Sequence, residues 1–182
     1  MNLDTFYQEE CRKAVRQVES KLSECNYKVE EYRPCADDAQ KLRNESLWYK
    51  QFLIKINIDT LKKEIDFILA IPKGFPYKFP KIYLRHENKE CKYLPHIDKN
   101  LFVCTFDSNE AQPNPEDPEG VALAVINRAK KILEEGLLGE NVADYKDEFL
   151  AYWDAEPDNQ IISLIEPTIE TKLICVIDII LS

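Results

Sequence analysis

Both histidines of the chain and two of its six cysteines fall between positions 86 and 104: His86, Cys91, His96 and Cys104. Asp98, Asn100, Asp107 and Glu110 stand among or just beyond them. Residues of these types support three readings. The first is nucleophilic chemistry at Cys104, which ends the apolar tripeptide Leu101-Phe102-Val103 and precedes an acidic loop, so that packing on one side would present a thiol to solvent on the other. Sulfur attacks as thiolate, and an unperturbed thiol has a pKa of ~8.5. The carboxylates at 98, 107 and 110 oppose ionisation, and Lys99 is the one basic residue close by. Such a thiol suits a thioester carrier, whose exchange reaction is nearly thermoneutral, better than a protease, for which His96 would have to serve as base. The second reading is a zinc site from His86, Cys91, His96 and Cys104, residue types that zinc favours, although their spacing matches no common knuckle. The third is structural: cysteines are frequent in cores, and a histidine often serves only as a hydrogen-bonded packing residue. That reading comes first for Cys11, Cys25, Cys35, Cys91 and Cys175.

Composition narrows the chemistry further. The chain has 182 residues and a formal charge of −9, with a pI near 4.9. The acidic balance argues against nucleic acid as a partner, because phosphate contacts need a basic face. The four glycines, at 74, 120, 136 and 139, allow neither G-x-G-x-x-G nor G-x-x-x-x-G-K, so dinucleotide and P-loop sites are excluded. No C-x-x-C occurs. The first residues lack the basic and apolar segments of a signal peptide, and no apolar run approaches the ~20 residues of a membrane span. These features predict a cytoplasmic protein with reduced thiols, with no membrane partner and no cofactor in this domain.

The elements that must position the 86–110 loop are legible on both sides of it. Leu3, Phe6, Tyr7, Ala14, Val15, Val18 and Leu22 recur at helical spacing, with Asp4 or Thr5 as cap. A strand follows over 27–33. The run 46–59 alternates: Trp48, Phe52, Ile54, Ile56 and Ile58 share one face, while Tyr49, Gln51, Lys55 and Asn57 share the other. Lys50 interrupts the apolar face. Ile65, Phe67, Leu69 and Ile71 form the next alternating run. Residues 75–80 (FPYKFP) are too proline-rich for a central strand, and 81–86 make a fourth strand. Past the loop, Val121, Ala124, Val125, Ala129 and Ile132 predict a helix capped by Asp117 and Glu119, with Gly136 and Gly139 punctuating its end. A second helix carries Val142, Tyr145, Phe149, Tyr152 and Trp153. The Ile-rich stretch 160–182 changes character. The order is α+β: a helix, a four-stranded antiparallel meander, a long irregular loop, then helices on one side of the sheet.

The segment from Gly74 to Cys104 resembles the core of the ubiquitin-conjugating enzyme family. Phe75-Pro76-Tyr77-Lys78-Phe79-Pro80-Lys81-Ile82 is similar to that family's proline-rich turn. His96-Ile97-Asp98, followed by a loop and Val103-Cys104, is similar to its His-Pro-Asn motif and acceptor cysteine. The asparagine of the motif is absent and the gap to the cysteine is shorter. With Phe149-Leu150-Ala151-Tyr152-Trp153, these departures resemble prokaryotic conjugating-enzyme-like domains of antiphage (CBASS-type) operons, some of which are fused to an activating-enzyme-like module. The resemblance implies a ubiquitin-conjugating-like fold over 1–155, with 156–182 as a linker or the start of an activating-enzyme-like domain. It implies an acyltransferase in which Cys104 accepts a protein C-terminus as a thioester. His96 would shape the loop, and Asn100 or a backbone N–H near Cys104 would supply the oxyanion donor. Asp107 would orient the incoming amine, or stand as a solvated loop charge. The partners implied are an activating-enzyme-like protein or domain and a carried protein, either a cGAS-like nucleotidyltransferase or a ubiquitin-like protein. The alternative from another class is a non-catalytic module of the same fold that binds ubiquitin-like partners. The missing asparagine favours it, and the retained cysteine argues for the carrier.

Overall fold

The structure, a computed structural model, describes residues 3–34, 47–91, 94–107 and 111–141. The element order is α1 (Leu3–Glu24), β1 (Lys28–Glu31), β2 (Trp48–Ile58), β3 (Lys63–Pro72), β4 (Lys81–Leu84), a 3-10 turn (His86–Cys91), β5 (Phe102–Val103) and α2 (Pro118–Leu138). The sheet runs β1-β2-β3-β4-β5, every neighbouring pair antiparallel. The meander therefore holds the expected four strands and a fifth, contributed by the loop just before Cys104. Periodicity could not reveal β5, because two residues are too few to show alternation.

β2 and β3 form the long hairpin on which the rest is built. Phe52, Ile54 and Ile56 stand opposite Leu69, Phe67 and Ile65, and all six are buried with Ile58 and Ile71 on the face that meets the helices. Each such side chain removed from water contributes roughly 1.5–3 kcal/mol. From α1, Cys11, Ala14, Val15, Val18 and Leu22 enter this core. From α2 come Val121, Ala122, Val125, Ile126, Ala129, Ile132 and Leu133. The two helices pack against each other on that face. Asp59, in the β2–β3 turn, ties the hairpin to α2: its carboxylate meets Lys130 Nζ at 2.9 Å and its N–H donates to Glu134 Oε1 at 3.1 Å.

Several expectations require correction. α1 spans Leu3–Glu24, so Asp4 and Thr5 lie within its first turn rather than ahead of it. Phe6 and Tyr7 are 39% and 50% exposed; they join each other edge-to-face, and Tyr7 meets Tyr77 of the proline-rich turn in the same way. In α2, Ala124 is exposed and Ala122 and Ile126 take the core face. Gly136 continues the helix and does not break it: a Cβ there would stand 3.3 Å from Leu94 Cβ, so glycine admits close packing of the loop. Gly139, at φ 69°, is the left-handed cap that ends α2. Asp117 is the N-cap, accepting from Gly120 N–H at 2.9 Å, whereas Glu119 lies in the first turn.

Trp48 also departs from the pattern. The register shifts between Trp48 and Lys50, and this bulge turns Trp48 to the opposite face from Phe52. There it joins a second apolar cluster of Ile68, Ala70, Tyr83, Tyr32, Leu53 and Phe102. The outer face is thus not the polar one that simple alternation predicts. Trp48 and Phe102 both pack on Tyr83, with centroids 6.5 and 5.3 Å away. Burial, with Asp98 nearby, pushes the Tyr83 phenol up to about 12. Lys50 keeps to the inner face at the end of β2, where its Nζ reaches Glu19 of α1 at 2.6 Å. The expected second helix with Val142, Tyr145, Phe149, Tyr152 and Trp153, and the boundary near 155, lie outside the described residues.

Candidate active-site hairpin

Residues 94–107 build a small hairpin on the edge of the sheet. β5 pairs with β4, Val103 opposite Ile82 and Phe102 opposite Tyr83. On its other side, 96–98 run antiparallel to 102–104. Cys104 N–H donates to His96 O at 2.8 Å and Asp98 N–H to Phe102 O at 3.1 Å, while Ile97 bridges Val103. Ile97, Leu101 and Val103 are fully buried, so this hairpin is nailed to the core by three apolar side chains. Leu94, just upstream, packs on Gly136 of α2.

The three residues Lys99, Asn100 and Leu101 connect the two arms. Leu101 N–H donates to Asp98 O at 2.9 Å, closing the turn, and Leu101 itself sits at φ 62°. A turn followed by one left-handed residue is a standard three-residue hairpin connection, usually with glycine in the left-handed place. A leucine there is unfavourable by roughly 1–3 kcal/mol. The Asp98 carboxylate offsets this: Oδ1 accepts from Asn100 N–H at 2.8 Å and from Phe102 N–H at 2.8 Å. Asn100 Nδ2 lies 3.5 Å from Asp98 Oδ2, at the tip. His96 is also left-handed, at φ 63°.

Alternation along the second arm decides what the thiol meets. Phe102 packs on the outer face, Val103 faces the core, and Cys104 is exposed. Downstream, Phe106 stacks on Phe79 of the proline-rich turn, centroids 4.9 Å apart and planes 13° from parallel. The proline-rich turn thereby holds the chain on the far side of the thiol. Asp107 is exposed and its carbonyl accepts Ala111 N–H at 3.0 Å.

The other thiols differ. Cys11 is buried 3.9 Å from Pro72 O, and burial pushes it up to about 11. Cys91 is buried at the end of the 3-10 turn and Cys25 is exposed after α1; Cys35 and Cys175 lie outside the described residues. His86 opens the 3-10 turn while His96 and Cys104 face each other across the hairpin. Among the described residues no three His, Cys, Asp or Glu side chains are placed to hold a metal ion. The four residues of the zinc reading are spread over the 3-10 turn and the hairpin, with Cys91 turned into the core and Cys104 outward. Among the described residues no helix is long and apolar enough to cross a membrane.

Of the residues singled out from sequence, His96, Asn100 and Cys104 share this hairpin, and Asp107 follows it. Sequence reasoning missed Asp98 as the capping residue, Leu101 as the left-handed one, and the Phe79–Phe106 stack. Asp98 and Asn100 two apart carry a signal, since Asp at the head of a turn bonds the backbone two residues on. Nothing local announces the stack. Comparison with known proteins found no matching curated protein and no matching solved structure. It did find a family: the pattern of prokaryotic E2 family B matches residues 29–162, which take in the sheet, the hairpin and α2. With this α+β order and most of its length matched, the chain belongs to prokaryotic E2 family B, and its role is conjugating-enzyme-like.

Proposed function

We propose that this protein is an acyl carrier in which Cys104 takes a protein C-terminus as a thioester and passes it to an amine. The single observation that carries the reading is the placement of Cys104: an exposed thiol at the end of a core-anchored hairpin, in a chain of this family. In the first step the Cys104 thiolate attacks the thioester carbonyl of a C-terminus held on an activating-enzyme-like partner. The carbonyl–sulfur bond to the partner breaks, and the partner's thiolate leaves. In the second step a target amine attacks the Cys104 thioester. The tetrahedral oxyanion collapses, Cys104 leaves as thiolate, the amine gives up a proton, and an amide remains.

The surrounding residues have these roles. His96 shapes the loop, through its left-handed backbone and the carbonyl that accepts Cys104 N–H at 2.8 Å. Because Cys104 has given its own N–H to His96, the oxyanion donor comes from a following backbone N–H or from Asn100 Nδ2. The latter is held by Asp98 at only 3.5 Å, the long limit of a hydrogen bond, and so can turn. Asp107, exposed three residues beyond the thiol, orients the amine. The passenger is a cGAS-like nucleotidyltransferase or a ubiquitin-like protein, and the setting is cytoplasmic antiphage defence. The test is an intact mass of the protein co-expressed with its operon neighbours and purified without reductant. An added mass that thiol removes, and that Cys104→Ala abolishes, is expected and identifies the passenger. A neighbour that co-purifies with no adduct on wild-type protein would overturn the carrier in favour of a binding module.

A further inference from the structure

We infer that Asp98 is the positioning residue of this site: by capping the 98–102 turn it sets the register that turns Cys104, and not Val103, to solvent. The inference rests on the carrier reading for its consequence, and on the hairpin geometry alone for its substance. β5 has two residues, paired to β4 on one side and to 96–98 on the other, so only a few ladder bonds hold its register. In the long β2–β3 hairpin many buried pairs specify one register. Here three buried side chains, Ile97, Leu101 and Val103, share that task with the turn. Asp98 O accepts Leu101 N–H at 2.9 Å, and Phe102 N–H, which in the usual reciprocal pair would meet that carbonyl, turns to the side chain. The Asp98 carboxylate takes that place, accepting Phe102 N–H at 2.8 Å, and accepts Asn100 N–H at the same distance. With both bonds made, Leu101 is kept at φ 62°.

Without them the left-handed leucine has no local support, and the turn relaxes to a connection of different length. A change of one residue in a hairpin loop sends each following side chain to the opposite face. Val103 would exchange its core position for solvent, and Cys104 would turn inward. Asp98 therefore acts through the backbone on where the sulfur points, with no contact to the passenger or amine required.

The test is per-cysteine alkylation of the full chain by iodoacetamide, with exposed Cys25 as internal reference and buried Cys11 and Cys91 as reporters of unfolding. In Asp98→Ala the Cys104:Cys25 labelling ratio should fall at least about fivefold, as expected for a thiol turned to the buried face. Asp98→Asn keeps an acceptor oxygen while removing the charge, and should stay within about twofold of wild type, since amide oxygens accept the same bonds. Removing a negative charge alone would favour thiolate and raise labelling, so charge and position predict opposite signs. A wild-type ratio in Asp98→Ala, or an equal fall in both variants, would overturn the inference. If Asp98→Ala instead labels Cys11 and Cys91, the decision passes to Leu101: Met keeps the buried volume and an unbranched Cβ, whereas the β-branched Val does not accept the left-handed backbone. Leu101→Val should lose Cys104 labelling and Leu101→Met keep it, and equal ratios would overturn the inference. Wild-type protein that forms no thioester with its neighbours would remove the carrier reading while leaving these ratios to decide Asp98.

Discussion

The β2–β3 hairpin and the 96–104 hairpin are built from the same antiparallel geometry and held by opposite means. The first pairs ten positions of Trp48–Ile58 with Lys63–Pro72. Its turn, 59–62, is exposed, and its register is specified by Phe52, Ile54, Ile56, Ile65, Phe67 and Leu69, all buried. A slip of one residue would expose that whole set. The second has a two-residue strand and a turn specified by one carboxylate and one left-handed leucine. Its buried residues, Ile97, Leu101 and Val103, pin it to the core. The scaffold is thus redundant and the site is not. Substitutions in the scaffold should cost stability, and those in the site should cost reactivity.

Four further experiments would break or sharpen that contrast. Cys104→Ala should abolish acyl transfer completely and leave the denaturation midpoint unchanged, because an exposed side chain contributes little packing; residual transfer would remove Cys104 from the chemistry. Phe67→Ala, at the centre of the long hairpin and fully buried, should lower unfolding free energy by about 3–5 kcal/mol. In the folded fraction Cys104 should alkylate at the wild-type rate, and a changed rate would show that the two hairpins are not separable. Phe106→Ala removes the stack on Phe79, worth about 0.5–1.5 kcal/mol. It should cost little stability in chemical denaturation while quickening amide exchange at Thr105 and Phe106. The mildest is an alkaline slope. Burial raises Cys11 from 9.0 to about 11 in the folded state, so folded protein holds this proton more tightly than unfolded chain does. Stability from this thiol is complete below pH 9 and falls as pH rises through about 11. Cys11→Ala should flatten that part of the pH profile, and an unchanged slope would assign it elsewhere.

Much of the scaffold was legible in the residues themselves. The 46–59 alternation, the 65–71 run and the 121–132 stripe each match an observed element, because long periodic patterns average out single exceptions. The failures fall where one local feature overrules the period. A bulge sent Trp48 to the outer face. Gly136 reads as a helix breaker and is a packing contact. Phe6 and Tyr7 match the helical stripe but stay exposed, with Tyr7 against Tyr77.

Sequence by itself determined the nature of the site more than its form. The proline-rich turn, His96 and Val103-Cys104 pointed to a conjugating-enzyme-like family, and that family is the one matched over 29–162. Composition likewise excluded nucleotide-binding motifs, since a missing glycine pattern cannot be restored by folding. The burial of each thiol was decided by the tertiary structure. Cys11, Cys91 and Cys104 are alike as letters; two are buried by what packs over them, and the third is turned outward by the register of a two-residue strand. That register depends on where Asp98 finds its donors. The Phe79–Phe106 stack joins residues distant in the chain. Such features arise from pairwise geometry between segments, and neither periodicity nor composition records it.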